Sequence, residues 1–149
     1  MSNLKQLLLV ASVEKKREQN CAMQYQQANA HLQANQLKLS GLERYKLDYL
    51  HGIRAKATQG IGAKSMNQHH QFIAQLDKAC EQQMLIINQS VLVVDQRKRL
   101  WLVQQQKHKA ILHLLDGKQR QAQIKANKQE QKLFDEISLQ RSTRKPTYQ

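Results

Sequence analysis

The stretch Thr58-Gln59-Gly60-Ile61-Gly62-Ala63-Lys64-Ser65 decides the fold. It is the only strong turn signal between two long segments that are rich in good helix formers. We expect helix one over residues 3–57, a loop over residues 58–65 and helix two over residues 66–140. A frayed basic tail at residues 141–149 completes a single domain that covers residues 1–149.

The segment before the loop repeats apolar side chains every seven residues. We take Leu4 as the first heptad position a and Leu7 as the first position d, and we call the a and d positions together the seam. Of the 15 seam positions up to Ile53, 11 are apolar. The polar interruptions are Glu14, Glu18, Asn35 and Lys46. A sustained seam with such interruptions is typical of a moderately stable coiled coil.

The segment after the loop carries a second seven-residue column, and seven of its eight members are apolar. The column consists of Ile73, Cys80, Ile87, Val94, Trp101, His108, Leu115 and Ala122. We expect five further apolar residues to flank it, namely Leu76, Met84, Val91, Ile111 and Leu112. A strict seven-residue repeat implies a left-handed supercoil. The two segments therefore predict an all-α fold, a long antiparallel two-helix coiled-coil hairpin with the second helix longer.

The two segments differ in length, so helix two should extend past the end of helix one. With the turn near Gly60, residue i of helix one faces roughly residue 123 − i, and Leu4 then lies near Gln119. Helix two extends about 20 residues, or about 30 Å, beyond that point. Asp116-Gly117 falls where the pairing ends, which favours a kink or a fray point. The alternative is a true turn there, followed by a short third helix.

Charge is distributed unevenly along the 149 residues, whose formal net charge is +13. Residues 61–90 have no net charge, whereas residues 91–149 have 13 basic and 5 acidic side chains. The loop end is thus neutral, and the open end with both termini is basic. This arrangement favours two contacts of different kinds, one at each end. Aromatic residues make up only 5% of the chain, which argues against a compact globule.

The sequence contains no recognisable catalytic, cofactor or metal motif. Cys21 and Cys80 lie too far apart along the hairpin to form a disulfide, so we expect reduced thiols in the seam. His51, His69 and His70 could gather near the loop, but no cysteine or carboxylate obviously completes a zinc site. We therefore expect no enzyme activity, no catalytic residues, no cofactor and no metal.

Neither a membrane span nor a specific nucleic-acid site is expected. The apolar windows 84–87 and 91–94 are separated by polar residues and fall well short of the ~20 apolar residues of a spanning helix. A cytoplasmic protein is the default expectation. The positive charge should attract phosphate weakly and in a salt-sensitive way, but no nucleic-acid-binding signature is present.

Apolar and aromatic side chains also extend to the edge of the seam near the loop. Leu42, Tyr45 and Tyr49 lie on one side of helix one, and the pairing places Phe72 and Leu76 in the same stretch of helix two. Ala79 continues this second stripe. The stripes can be ordinary core, or they can form a surface that receives a partner.

The motif Leu42-x-x-Tyr45-x-x-x-Tyr49, the loop, and the run Gln71-Phe72-Ile73-x-x-Leu76-x-x-Ala79 resemble the FliJ family of flagellar type III export proteins. The resemblance continues through Val94-Asp95, Trp101, Gln131-Lys132 and Asp135-Glu136 to Arg144-Lys145-Pro146, and so covers nearly the whole chain. Lys38 and Gln83 depart from the family pattern, in which relatives can have Gln and His.

The resemblance implies a coiled-coil stalk that inserts into the hexameric export ATPase and promotes its assembly and activity. It also implies contacts with the regulator of that ATPase, with the cytoplasmic domain of the membrane export gate and with export chaperones. Such a protein would be cytoplasmic and peripherally associated with the inner membrane at the export apparatus. By position, the gate-contacting residues carry over to Leu42, Tyr45, Tyr49, Phe72, Leu76 and Ala79.

The stalk analogy places the basic open end in the ATPase ring. The basic residues of the extension are Lys118, Arg120, Lys125, Lys128 and Lys132. Two other functions stay open on physical grounds. One is the equivalent stalk of a virulence type III secretion system, and the other is a basic coiled coil that binds nucleic acid or ribosomes.

Overall fold

The computed structural model describes residues 2–143, and these residues form two α-helices and no strand. Helix α1 is Ser2–Ala57 and helix α2 is Ala63–Thr143. The predicted helical hairpin with a longer second helix is confirmed. The Arg144-Lys145-Pro146 part of the expected tail lies outside the described residues.

The loop between the helices is shorter than the predicted loop of residues 58–65, because α2 begins at Ala63 instead of residue 66. Gly60 has a φ of +87°, in the left-handed region that glycine adopts without the steric cost of a Cβ atom. The Thr58 hydroxyl donates a 2.7 Å hydrogen bond to the Ala55 carbonyl at the end of α1. The Gly62 carbonyl accepts a 3.1 Å hydrogen bond from the Met66 amide, so Gly62 begins the hydrogen bonding of α2.

Helix α2 continues without a break through Asp116-Gly117. The Asp116 carboxylate forms a 3.1 Å salt bridge with Arg120, which lies one turn later on the same helix. The alternative of a turn and a third helix at this position is therefore wrong. A single glycine costs only about 1 kcal/mol relative to alanine in a helix, and the helix-forming residues on both sides outweigh that cost.

The chain divides into two compact units. The loop unit comprises Gln19–Val103, and the terminal unit combines the part of α1 up to Glu18 with α2 from Gln104 onward. Within the loop unit, Lys46 forms a salt bridge with Asp77, the residue that the predicted pairing places opposite it. Within the terminal unit, the Glu14 carboxylate accepts a hydrogen bond from the Gln104 amide. The helices are antiparallel in both units.

The heptad of α1 describes most of its buried face, although Ala22, Gln24, Asn29 and Leu50 outside it are also half-buried. All 15 predicted seam positions from Leu4 to Ile53 are buried or half-buried. In α2 the predicted column is also buried or half-buried from Ile73 to Leu115, whereas Ala122 is exposed. Cys21 and Cys80 are free thiols within these two half-buried columns.

The flanking column of α2 differs from the prediction. Leu76 and Ile111 do line the seam, but Met84, Val91 and Leu112 are exposed. Gln83 and Ser90 are buried instead, because they lie three residues after Cys80 and Ile87 and so complete the seam of α2. Their polar atoms are satisfied: the Gln83 amide donates to the Asn35 backbone and side-chain oxygens, and the Ser90 hydroxyl donates to the Ile86 carbonyl.

Candidate partner-binding surfaces

An aromatic cluster lies in the loop unit where the predicted gate-contacting residues meet. The Phe72 ring lies between two tyrosines, with centroid distances of 4.7 Å to Tyr49 and 6.2 Å to Tyr45. The contact with Tyr45 is edge-to-face, a geometry that aromatic quadrupoles favour. The seven-residue pattern brings these rings together because each lies at or beside the seam of its helix.

Tyr49 fixes the inner side of this cluster. Its hydroxyl forms a 2.5 Å hydrogen bond with Nδ1 of His69, and the two rings meet edge-to-face at 5.6 Å. His69 is half-buried in the seam of α2, and its interaction with Tyr49 was not anticipated from the sequence. The Tyr49 hydroxyl thus has a partner inside the hairpin, and this contact holds its ring beside Phe72.

The six predicted gate-contacting residues differ in how much surface they offer. Tyr45 is 53% exposed, whereas Leu76 is only 8% exposed and belongs to the core. Leu42, Tyr49, Phe72 and Ala79 are half-buried. The accessible part of this surface is therefore centred on Tyr45 and the outer edge of Phe72. Gln83, one of the two positions that depart from the family pattern, is buried in the seam.

A salt bridge lies on the same stretch of the loop unit. Lys46 pairs across the hairpin with Asp77, and the hydrogen bond to Asp77 raises the pKa of Lys46 above its usual value. Because Lys46 follows Tyr45 directly, a charged pair borders the aromatic surface.

The basic extension of α2 is exposed along its whole described length. Every residue from Asp116 to Thr143 is exposed, including all five predicted contact residues. Helical geometry places Lys118, Lys125, Lys128 and Lys132 on one face. Arg120 points to the other side, where it pairs with Asp116. The extension therefore presents one lysine face rather than a uniform ring of charge.

Apolar side chains are interspersed among these lysines, and the charge-based sequence reasoning did not single them out. Leu133, Phe134 and Leu139 are among the most exposed apolar residues of the chain, and Ile124 and Ile137 are also exposed. Ile124 lines a shallow groove together with Lys125, Lys128 and Lys132. Exposed apolar residues beside cations suit a protein partner better than a purely electrostatic one.

Residues 2–143 contain no group of three or more histidine, cysteine or acidic side chains that could hold a metal ion. One of the three histidines near the loop, His69, is engaged with Tyr49. Neither α1 nor α2 includes a stretch long and apolar enough to span a membrane.

Comparison with known proteins gives a consistent result. The model of the family described as "Flagellar FliJ protein" matches residues 3–147. A curated protein of that description from Salmonella typhi is 31% identical over 111 residues, which cover 74% of each chain. No solved structure gives a significant match.

Proposed function

Because the chain belongs to the flagellar FliJ family, we propose that it is the stalk that couples the hexameric export ATPase to the membrane export gate. Family membership makes the chain a non-enzymatic component of flagellar protein export. It also favours the flagellar system over the virulence system as the site of action. What we propose beyond family membership is the identity of the partners that the chain binds.

The observation that carries the proposal is the exposed stretch of α2 from Asp116 to Thr143, of which only the first part lies beside Asn3 and Leu4 of α1. A helix in water is stabilised mainly by packing of one face, and in this stretch every residue from Asp116 to Thr143 remains exposed in the described chain. The lysine face and the neighbouring apolar residues provide the two kinds of contact that a protein interface combines. We assign this stretch to the ATPase ring, with Lys118, Arg120, Lys125, Lys128 and Lys132 as its basic contacts.

The second contact in the proposal is the cytoplasmic domain of the export gate. Tyr45 offers an exposed aromatic ring that Phe72 holds in place, and aromatic anchors of this kind dominate binding energy at interfaces. The proposed gate contact also includes Leu42, Tyr49, Phe72, Leu76 and Ala79, of which Phe72 touches the Tyr45 ring and Tyr49 touches Phe72. This contact would hold the protein peripherally at the inner membrane.

The proposal also includes the ATPase regulator and the export chaperones as partners, and it assigns them to this chain on the family resemblance alone. Specific nucleic-acid binding is not part of the proposal. Charge alone gives binding that falls steeply with salt.

The experiment that tests the proposal measures ATP hydrolysis by the export ATPase of the same organism, with and without the full chain. We expect stimulation that is lost when the chain is truncated after Gly117. Lys125→Glu with Lys132→Glu should also reduce stimulation strongly. The matched control, Lys107→Glu with Lys109→Glu, makes the same charge change at exposed sites before the stretch that begins at Asp116 and should have little effect.

Three outcomes would contradict the proposal. Absence of stimulation and of co-sedimentation with an active ATPase would exclude the stalk. Unchanged stimulation after truncation would exclude the removed part of α2 as the ring contact. Micromolar or tighter duplex binding at physiological salt, together with a steep salt slope, would instead favour a nucleic-acid-binding protein.

A further inference from the structure

Four aromatic side chains near the loop alternate between the two helices. Two of them lie one turn apart on α1 and two lie one turn apart on α2. We call this set the aromatic row; in the order of their contacts its members are Tyr45, Phe72, Tyr49 and His69. The ring centroids along the row are 6.2, 4.7 and 5.6 Å apart. Each contact joins α1 to α2, so the position of every ring depends on a ring of the other helix.

The aromatic row has one end in solvent and the other inside the hairpin. Tyr45 is 53% exposed, whereas the other three side chains are half-buried. An exposed side chain populates several rotamers unless its contacts select one, and a side chain that is fixed only on binding weakens the complex. The contact of Tyr45 across the hairpin is the edge-to-face contact with Phe72. The orientation that Tyr45 offers to a partner is therefore set by the position of Phe72.

His69 provides the most directional contact of the row. Contacts between aromatic rings are favourable over a range of angles, and Phe72 meets Tyr45 and Tyr49 at interplanar angles of 73° and 52°. A hydrogen bond weakens much more steeply when its geometry changes. The 2.5 Å hydrogen bond between the Tyr49 hydroxyl and Nδ1 of His69 therefore restricts the Tyr49 ring. Because Phe72 packs against that ring at 4.7 Å, the restriction also reaches Phe72.

His69 is separated from the accessible part of the aromatic surface. Tyr49 and Phe72 lie between His69 and Tyr45 in the order of contacts. Its Nδ1 atom is engaged within the hairpin, and its side chain is half-buried in the seam of α2. Any influence of His69 on a partner that binds Tyr45 must therefore pass through the other rings.

We propose that His69 is a positioning residue for the aromatic surface. Its hydrogen bond to Tyr49 holds the aromatic row in the arrangement that orients Tyr45 for the cytoplasmic domain of the export gate. The identity of this partner rests on the function proposed above, whereas the positioning of Tyr45 rests on the ring contacts. The competing role for His69 is stability alone, in which case gate binding would fall only as far as the folded fraction falls.

Aromatic proton–carbon NMR spectra of the full chain test the positioning in the absence of any partner. His69→Leu removes the hydrogen bond and the ring contact and retains an apolar residue of high helix propensity. We expect this variant to shift the ring signals of Tyr45 by more than their line width. The matched control His70→Leu makes the same change at the exposed neighbouring residue and should leave those signals in place. Unchanged Tyr45 signals in His69→Leu would overturn the proposal.

Titration of the full chain with the cytoplasmic domain of the export gate tests the consequence for binding. His69→Leu should weaken binding three- to tenfold. His69→Asn retains a polar atom bonded to Cγ, as Nδ1 is in histidine, and should bind within twofold of the wild type. Tyr49→Phe removes only the hydroxyl and should weaken binding as much as His69→Leu. The double variant should bind no more weakly than either single variant, and additive losses would contradict the proposal.

A destabilising substitution elsewhere in the loop unit separates positioning from stability. Leu32→Ala truncates a half-buried seam residue about 20 Å along α1 from Tyr45. It should lower the free energy of unfolding but change the affinity for the gate domain less than twofold. If Leu32→Ala weakened gate binding as much as His69→Leu, stability alone would explain the effect and the proposal would be wrong.

The two measurements also separate this proposal from the proposed function. If the wild-type chain did not bind the gate domain, the gate would be the wrong partner, and the NMR signals of Tyr45 would still decide whether His69 positions that ring. If the wild-type chain bound the gate domain and His69→Leu bound equally well, the gate contact would stand and the role of His69 would be refuted.

Discussion

Replacement of Leu76 by alanine should separate the structural role of the aromatic stretch from its role as a surface. Leu76 is 8% exposed, so truncation removes almost entirely buried methyl groups. At about 0.8 kcal/mol per methylene group, the lost burial amounts to about 2 kcal/mol. A sealed core would add a cavity cost, but no side chain in the described part of the chain is completely enclosed. The expected loss of unfolding free energy is therefore about 2–3 kcal/mol.

Urea denaturation followed by circular dichroism measures this loss, with two controls. Leu85→Ala removes the same atoms from a 63% exposed site and should change the free energy of unfolding by about 0.5 kcal/mol or less. Tyr45→Ala gives up an edge-to-face contact worth about 1 kcal/mol but leaves the seam intact. If Leu76→Ala were no more destabilising than Leu85→Ala, Leu76 would not be core. Gate binding by the Tyr45→Ala variant tests the surface separately from the core, because this variant should remain folded.

Three further experiments test other parts of the structure. Gly60→Ala should lower the free energy of unfolding by about 1 kcal/mol or more, because Gly60 has a positive φ. Gly62 does not have a positive φ, so Gly62→Ala should lower it less. The midpoints of urea denaturation compare the two variants. A double-mutant cycle of Asn35→Ala and Gln83→Ala should give a coupling energy of about 1 kcal/mol, and a zero value would refute the seam hydrogen bonds. Trp101→Phe should be neutral or stabilising in thermal melts, because it retains the stacking with Tyr25 and removes a buried N–H that has no partner among the described residues.

The fold could be predicted from sequence because its main signals are periodic and local. The heptad from Leu4 to Ile53 has one apolar column pair, so only one face can be buried, and the structure buries it. The glycine-containing link left one place for the turn. The start of α2 was harder, because Gly62 begins the helix through its backbone carbonyl, and that signal is not visible in side-chain chemistry.

The candidate surfaces were less predictable, since their exposure depends on rotation of α2 about its axis. Around residues 84–93, α2 has apolar side chains on several columns, and periodicity alone cannot say which of them faces α1. Spacing predicted only that Phe72 lies in the same stretch of the hairpin as Tyr45 and Tyr49, and the ring contacts themselves required the structure. The burial of Leu76 and Gln83 and the hydrogen bond of Tyr49 to His69 required the structure.

The polar residues of the seam explain why α2 buries Gln83 and Ser90 and leaves Met84 and Val91 exposed. Rotation of α2 by one position would bury Met84 and Val91, each worth about 1.5–3 kcal/mol. The same rotation would turn the column of Cys80, Ile87 and its equivalents away from α1, which cancels that gain. It would also deprive Asn35 of the Gln83 amide, at a cost of about 1–3 kcal/mol for each unsatisfied buried group. The seam therefore accepts Gln83 because its amide pairs across the seam with Asn35, whereas the Ser90 hydroxyl is satisfied by the Ile86 carbonyl within α2. Met84 and Val91 stay exposed as a result.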